Sequence, residues 1–389
     1  MRVVRWWPQK RTATITTTIT TEGLPVSGGS ARPEDVVVAV DANGADMGPA
    51  EVAAGAALAA ERGVRVLLFG PAAELGAMGE GVEVVDAPVS VAKSADPARA
   101  VRSTPESSIV QAARAVAAGR AQALVCAGGT GAALAAGLFN VKRARGVYRP
   151  ALALPIPVPG HPVTLLDVGA SSQARSEHLV QFAFMGAAFA SAVLGVERPR
   201  VALLSNGEEQ ERGNELVAQA GAELAERALA DRRSRRSPIG GALRFVGNVE
   251  GGDVVGGAAD VIVTDGFTGN IALKLMEGVS QTILDAVRDA ATSSRRGKLG
   301  GALLRPSLRA FRDEIDPEGQ GGAYLLGLRR LAVVPHGRFC RRGFAQAILR
   351  AERGAREDVV GATYRALEQA GALRRAPASA DPASLRDNA

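Results

Sequence analysis

Six times along this chain a run of Val, Leu, Ile and Ala breaks into a glycine-containing polar loop, and a helix-like segment follows. The segments are VVVAVDANGADMGP, ALVCAGGTGAALAAG, VTLLDVGASSQARSEHLVQFAFMG, RVALLSNGEEQERGNELVAQAG, DVIVTDGFTGNIALKLMEGV and LAVVPHGRFCRRGFAQAIL. Two further apolar runs, VRVLLFG and VEVVDAP, read as short buried strands. Nearly continuous apolar strands between helices predict an α/β fold, a mostly parallel sheet covered by helices on both faces. Ligands of such sheets bind beyond the carboxyl ends of the strands, where every polar cluster of these segments falls. A helix is expected from near Pro49 to near Gly63, because Pro suits a first helical position and Gly ends helices.

Residues 34–373 are therefore read as one α/β domain. Residues 1–33 are Thr-rich, then rich in Gly, Ser and Pro. They are expected to be a mobile leader or an over-long start, although the alternation in TATITTTIT also suits an edge strand. The tail 374–389 is expected to be disordered. The basic N-terminus lacks an apolar h-region, so it does not read as a secretory signal. No run reads as long enough to span a bilayer. Cys126 and Cys340 cannot make a disulfide framework and point to a reducing cytosol. Cys126 reads as core. Cys340 lies four residues after His336, but no third orienting group supports a thiol–imidazole pair. His161 and RRSRR (232–236) read as loop residues.

The formal charge is +6, and only five of the 46 basic residues are Lys. Arg forks suit carboxylates and phosphates, so the balance favours an acidic partner, though arginine-rich coding gives the same excess. Aromatic residues make up 4% of the chain, which argues against a base-stacking nucleic-acid binder.

Familiar catalytic signatures are absent. The loop Gly129-x-Gly131-x-x-Leu134 lacks the third glycine of a dinucleotide fingerprint. There is no P-loop, no nucleophile elbow and no Cys/His spacing for zinc. What remains is a set of glycine-containing loops with scattered Asp, Glu, Asn, Arg, Lys and His. Such a set suits a reaction whose nucleophile is a bound anion. Inorganic phosphate is already a charged oxygen nucleophile and needs only positioning, a polarised carbonyl and a proton for the leaving group. The candidate catalytic residues are Arg175, His178, Asp265, Asn270 and His336. The candidate substrate or phosphate ligands are Asp41, Gly44, Asp46, Gly128, Gly129, Thr130, Gly131, Asp167, Gly169, Glu208, Asn214, Asn248 and Lys274. Gly128 to Gly131 serve either as an anion cradle or only as a tight turn. His178, beside Glu177, either acts on substrate or simply caps and packs.

Taken in order, these clusters resemble the phosphate acyltransferases of bacterial phospholipid synthesis, the PlsX family. The resemblance runs from about Val36 to Gln369. It rests on AVDANGADMGP, ESSIVQAARAVAAGRAQALVCAGGTGAALAAGLF, LLDVGASSQARSEHLVQFAFMG, GEEQERGNEL, FVGNVEGGDV, DGFTGNIALKLMEG and GGAYLLGL. It implies transfer of a fatty acyl group from acyl carrier protein to inorganic phosphate, giving acyl phosphate. It also implies a fold like that of phosphotransacetylases and isopropylmalate-type dehydrogenases, a homodimer, and no metal or nucleotide. Phosphopantetheine would come with the carrier. The chain departs from the family pattern at Asn43, Ala45, Met47, Gly129, Ser171, Gln173, Arg175 and Gly252. It departs again at Arg338 to Arg341 and in RSTPE before Ser107. Two other functions stay open: an acyl-CoA-using phosphotransacylase, and a weakly catalytic homologue that only binds acyl carrier protein.

SSRRGKLGGALLRPSLRAFRDEID (293–316) places Leu299, Leu303, Leu304, Leu308 and Phe311 at helical spacing among six basic residues. Pro306 is expected to break this segment into a protruding helical hairpin or bend. The pattern suits either a helix lying in an anionic bilayer surface or one packed on a dimer mate. The family resemblance implies a membrane-contacting hairpin, which makes the expected location cytoplasmic and peripherally membrane-associated.

Overall fold

The computed structural model describes residues 36–158, 162–209, 211–233 and 243–374. The leader, His161, most of RRSRR and all but the first residue of the tail lie outside the described residues.

The strands are β1 (Val37–Asp41), β2 (Arg65–Gly70), β3 (Val82–Asp86), β4 (Ala123–Cys126), β5 (Ala151–Ile156) and β6 (Val163–Leu166), followed by β7 (Arg200–Leu204), β8 (Arg244–Val249), β9 (Val261–Val263), β10 (Ala323–Leu326) and β11 (Leu331–Val334). They form one sheet in the order β3-β2-β1-β4-β11-β10-β5-β6-β9-β7-β8. From β3 to β11 the neighbours are parallel. β10 is antiparallel to β11 and β5, and β5 is antiparallel to β6. From β6 to β8 the neighbours are parallel again. The sheet is thus mostly parallel, as expected, but its two parallel halves run in opposite directions and meet through antiparallel pairs. VEVVDAP forms the sheet edge and is only half-buried, because β3 has a neighbour on one side only.

The helices are α1 (Pro49–Ala60), α2 (Ala72–Leu75), α3 (Pro97–Ser103), α4 (Ser108–Ala117), α5 (Thr130–Ala136) and α6 (Ser176–Leu194), then α7 (Glu215–Arg233), α8 (Gly266–Thr292), α9 (Arg295–Glu314), α10 (Arg341–Arg356) and α11 (Val359–Gln369). Alternate strand residues feed different cores. Val38, Val40 and Val125 pack with Phe182 of α6 and Phe344 of α10. Ala39, Leu124 and Ile262 pack on the other face with Ile109 of α4 and Ala133 of α5. Each fully buried Val, Leu, Ile or Phe contributes about 1.5–3 kcal/mol, so the period-2 pattern fixes the register of every strand. α6 corrects one expectation. Its 19 residues are long and apolar enough to cross a bilayer, yet 78% of the apolar window is buried inside the protein. Its length is used to cover the sheet.

α8 and α9 leave this body. Beyond Gly269 no residue of α8 is buried, and none of α9 is. They pack on each other as a hairpin that turns at Ser293 and Ser294, where the Ser294 hydroxyl accepts from Gly297 N at 2.9 Å. Small residues permit this approach: a Cβ on Gly301 would lie 2.9 Å from Ala291 Cβ. The hairpin does not turn at Pro306, for α9 continues as one helix through it. Proline removes one N–H, and here the freed Ala302 carbonyl lies on a solvent-exposed helix where water can satisfy it.

Candidate active site

The carboxyl ends of β1, β4 and β11 meet in one group of loops. Asp41 ends β1 with its carboxylate buried. Ser108 Oγ donates to Asp41 Oδ1 at 2.6 Å, and Asn43 N donates to the same oxygen at 3.1 Å. Asn43 Nδ2 in turn donates to the Ala87 carbonyl and to Ser108 Oγ. Burial outweighs these hydrogen bonds and pushes the Asp41 carboxyl up to about 7. Cys126 is buried beside it, and burial together with the Asp41 charge drives its thiol well above the usual range. Cys126 is a core thiol, as expected.

The glycine loop between β4 and α5 is shaped by packing. A Cβ on Gly44 would lie 2.1 Å from the Ala127 carbonyl, and one on Gly128 would lie 2.3 Å from the Gly44 carbonyl. Both residues also hold positive φ, so the backbones of the two loops touch where only glycine fits. Gly129 abuts the Ala92 carbonyl and Gly131 abuts Pro97. This close packing explains why glycine stands at these positions, and Thr130 is the first residue of α5.

After β6, Asp167 is fully buried and accepts from the backbone N–H groups of Leu152, Gly169, Ala170 and Ser171 at 2.8–3.0 Å. Burial raises its pKa against those four donors. It winds the 167–171 turn and presents no free oxygen to a ligand. Asp265 is likewise engaged, accepting from Phe267 N, Thr268 N and Thr268 Oγ1 as the cap of α8. Gly169 lies against Asn270, whose Cβ is 3.8 Å from the position a Gly169 Cβ would take. Asn214 caps α7 through Val217 N, and Asn248 donates to the Glu209 and Arg212 carbonyls. Glu208 is exposed on the same loop. No hydrogen bond among the described residues joins this last group to the β1–β4–β11 loops.

α8 links the two halves of the sheet. Lys274 Nζ stands 3.4 Å from His336 Nε2, just beyond β11. Lys274 also pairs with Glu277 at 2.9 Å, and Arg338 approaches Glu277 at 3.6 Å. Asp46 joins the cluster by donating its N–H to the Gly337 carbonyl at 2.8 Å. His336 Nδ1 accepts from Arg338 N at 3.2 Å, which assigns the proton of the neutral ring to Nε2. Burial, then Lys274 and Arg338, lower the pKa of His336 and favour that neutral ring. Two donors, an ammonium and an imidazole N–H, thus face each other with no acceptor between them. That is the arrangement an anion completes.

His178 is buried on α6, with Tyr148 and Phe182 rings about it. Its Nδ1 accepts from Arg175 N at 3.2 Å, so the capping role is realised and Nε2 holds the proton. Burial lowers its pKa, helped by Arg149 and Arg175 and opposed by Glu177. A cavity of about 380 Å³ opens here, lined by Arg149, Gln173, Ala174, Arg175 and His178. A second of about 310 Å³ is lined by Leu134, Leu138, Arg143, Arg149, Pro150, Ala170 and Ser171. Sequence reasoning missed Arg149 and Arg143, which stand in an irregular loop before β5 and carry no motif. The Cys340 thiol donates to Glu318 Oε2 at 2.9 Å rather than to His336. Leu299, Leu303, Leu304 and Leu308 are all exposed on α9. Among the described residues, no group of three or more His, Cys, Asp and Glu residues could hold a metal ion.

Comparison with known proteins bears on this geometry. A family model described as fatty acid synthesis protein matches residues 36–361. The phosphate acyltransferase of Geobacillus sp. (strain WCH70) is 40% identical over 342 residues, covering 85% of this chain and 98% of that one. The phosphate acyltransferase of Heliobacterium modesticaldum is 40% identical over 335 residues, covering 84% and 96%. Among solved structures, the EutD phosphotransacetylase from Staphylococcus aureus matches with a TM-score of 0.53 at 16% identity, over 82% of this chain and 94% of that one. At that identity the match speaks for the fold, an α/β fold of the phosphotransacetylase class.

Proposed function

We propose that this chain, which belongs to the fatty acid synthesis protein family and has phosphate acyltransferases as its curated relatives, transfers an acyl group from acyl carrier protein to inorganic phosphate. The observation that carries the reading is the facing pair Lys274 Nζ and His336 Nε2, 3.4 Å apart. Two converging donors at the junction of the sheet halves suit a phosphate dianion.

In this reading Lys274 and neutral His336 hold phosphate. One phosphate oxygen bonds to the thioester carbonyl carbon, the carbon–sulfur bond breaks, and the departing thiolate takes a proton. Water supplies that proton, while Lys274 Nζ and His336 Nε2–H stay hydrogen-bonded to the phosphate oxygens. Asp41, Asp167 and Asp265 act at one remove, shaping the loops that carry the donors. The acyl phosphate would serve phospholipid synthesis or a specialised acyl pathway. No cofactor enters these steps beyond the carrier's own phosphopantetheine.

The apolar residues of α8 and α9 support two further parts of the proposal. Phe267, Ile271, Leu275, Val279, Ile283 and Val287 recur every four residues along one exposed stripe. A second copy covering that stripe would make a homodimer. Leu299, Leu303, Leu304 and Leu308, set among Arg and Lys, suit reversible contact of a cytoplasmic enzyme with an anionic bilayer. An amphipathic product would be released there.

The test is direct. The full chain is incubated with acyl carrier protein thioester or acyl-CoA, with and without phosphate, and acyl phosphate is trapped with hydroxylamine. Phosphate-dependent product from the carrier thioester supports the reading. Product from acyl-CoA alone favours the phosphotransacylase, and none from either leaves a carrier-binding homologue.

A further inference from the structure

The two cavities beside α6 share one guanidinium and differ in chemistry. Arg149 lines both. Gln173 and Arg175 make the first polar and basic, while Leu134 and Leu138 make the second apolar on one wall. Each is at the lower end of the about 300–1,000 Å³ of small-molecule sites.

The loop that bears Arg149 is held in place, and the Arg149 side chain is exposed. Tyr148 N donates to Gln181 Oε1 at 2.8 Å, and Gln181 Nε2 donates to the carbonyls of Gly146 and Ala372. Gln181 is fully buried, so the loop bearing Arg149 is fastened to α6 and to the end of the domain. The neighbouring Arg143 directs Nη1 at the Val147 and Tyr148 carbonyls. Arg149 makes no hydrogen bond or ion pair with any described residue. An exposed guanidinium that lines a cavity and has no partner among the described residues suits a phosphate or carboxylate.

One strip of backbone joins this place to the candidate active site. Gly169 abuts Asn270, one helical turn before Lys274. Ala170 and Ser171 then line the apolar cavity, and Gln173 to Arg175 line the basic one. The strip spans at most about 20 Å when extended. A ligand laid along it would have its reacting end near Lys274 and His336, an apolar middle, and an anionic far end on Arg149 and Arg175. Inorganic phosphate has no use for such a track.

We infer that the paired cavities receive the phosphopantetheine arm of the acyl donor, with Arg149 as the residue that recognises its phosphate. The inference rests on the proposed acyl transfer. Gln173 is placed to hydrogen-bond the head of the arm, and the Leu134–Leu138 wall meets its dimethyl carbons. Carrier protein and coenzyme A both present this arm, so the site selects the arm and leaves the choice between them to other surfaces.

The experiment compares lauroyl-phosphopantetheine with lauroyl-pantetheine, which differ only in that phosphate, using wild-type chain and Arg149→Ala. Lauroyl-acyl carrier protein and lauroyl-CoA are run in parallel to separate the two sources of the arm. The expected result is a KM about tenfold or more lower for the phosphorylated donor in the wild type. In Arg149→Ala that advantage vanishes, kcat is little changed, and the KM for inorganic phosphate stays put. An unchanged preference in Arg149→Ala overturns the inference, and so does a raised KM for inorganic phosphate. If no donor gives acyl phosphate, the proposed reaction is what fails. Calorimetric binding of phosphopantetheine to the two proteins then decides the inference by itself: loss of binding in Arg149→Ala upholds it, and equal or absent binding overturns it.

Discussion

Ser108 Oγ lies 2.6 Å from Asp41 Oδ1, across 67 residues of sequence, and ties the start of α4 to the end of β1. The carboxyl it touches is buried and pushed from 3.8 up to about 7. Below pH 3.8 the folded and unfolded chains both keep this proton, and the group costs nothing. As pH rises toward 7 the unfolded chain releases it first, so the folded state loses stability. Above 7 the loss is complete. Between pH 5 and 8 this group alone is expected to lower stability by about 2–3 kcal/mol. Asp41→Asn keeps an acceptor for Ser108 and removes the titration. Urea unfolding of both proteins at the two pH values checks it. Parallel pH dependence in wild type and variant would show that Asp41 does not titrate in this range.

Lys274 and His336 should act as a unit. Lys274→Met is expected to lower kcat/KM for phosphate about 100-fold, or about 2.7 kcal/mol, as for a lost transition-state donor. The variant should also shift the pH profile. Protonation of His336 Nδ1 would break the Arg338 N bond that orients the ring, so activity is expected to fall as pH drops through its depressed pKa. Burial is the main cause of that depression and Lys274 the next. Without Lys274 the acid limb should move to higher pH. Steady-state rates from pH 4.5 to 8 measure both effects, and an unmoved limb would uncouple the two residues.

Gly131 offers a steric test. A Cβ there would sit 2.9 Å from Pro97 Cγ, so Gly131→Val overpacks α5 against α3. The expected cost is about 1–3 kcal/mol, read as a melting temperature lowered by several degrees. A variant as stable as wild type would mean that Pro97 yields, and the loop would then be roomier than its packing indicates.

The α8–α9 hairpin can be tested without touching turnover. Leu303 and Leu304 are 76% and 57% exposed on α9, a helix that carries none of the candidate catalytic or phosphate-binding residues. Wild-type protein is expected to co-sediment with anionic vesicles, less so as salt rises, because each basic residue near the surface adds about 1 kcal/mol. Leu303→Glu with Leu304→Glu should abolish co-sedimentation and leave the soluble rate intact. A double variant that still pellets would assign those leucines to the dimer.

Much of the fold was legible in the sequence. Apolar runs such as Val38 to Val40 and Leu124 to Cys126 can only be buried strands, and the loops after them had to lie at the carboxyl ends of a sheet. Asp265 and Asn214, read from the sequence as a candidate catalytic residue and a candidate ligand, cap the helices that follow them. The sequence did not disclose the antiparallel placement of β5 and β10 at the centre, because strand direction is set by pairing and not by composition. Nor could it tell which polar residues face solvent. Asp41, Asp167 and Lys274 all follow apolar runs. Tertiary packing buries the first two among backbone N–H groups or a serine and leaves the third to meet His336, 62 residues away. Arg149 had no periodic or motif signal at all. Its setting exists only because Gln181 on a distant helix fastens its loop. Burial preference is a property of each residue and can be read in order along the chain. The meeting of charges across a sheet is a property of distances, and only the folded chain has those.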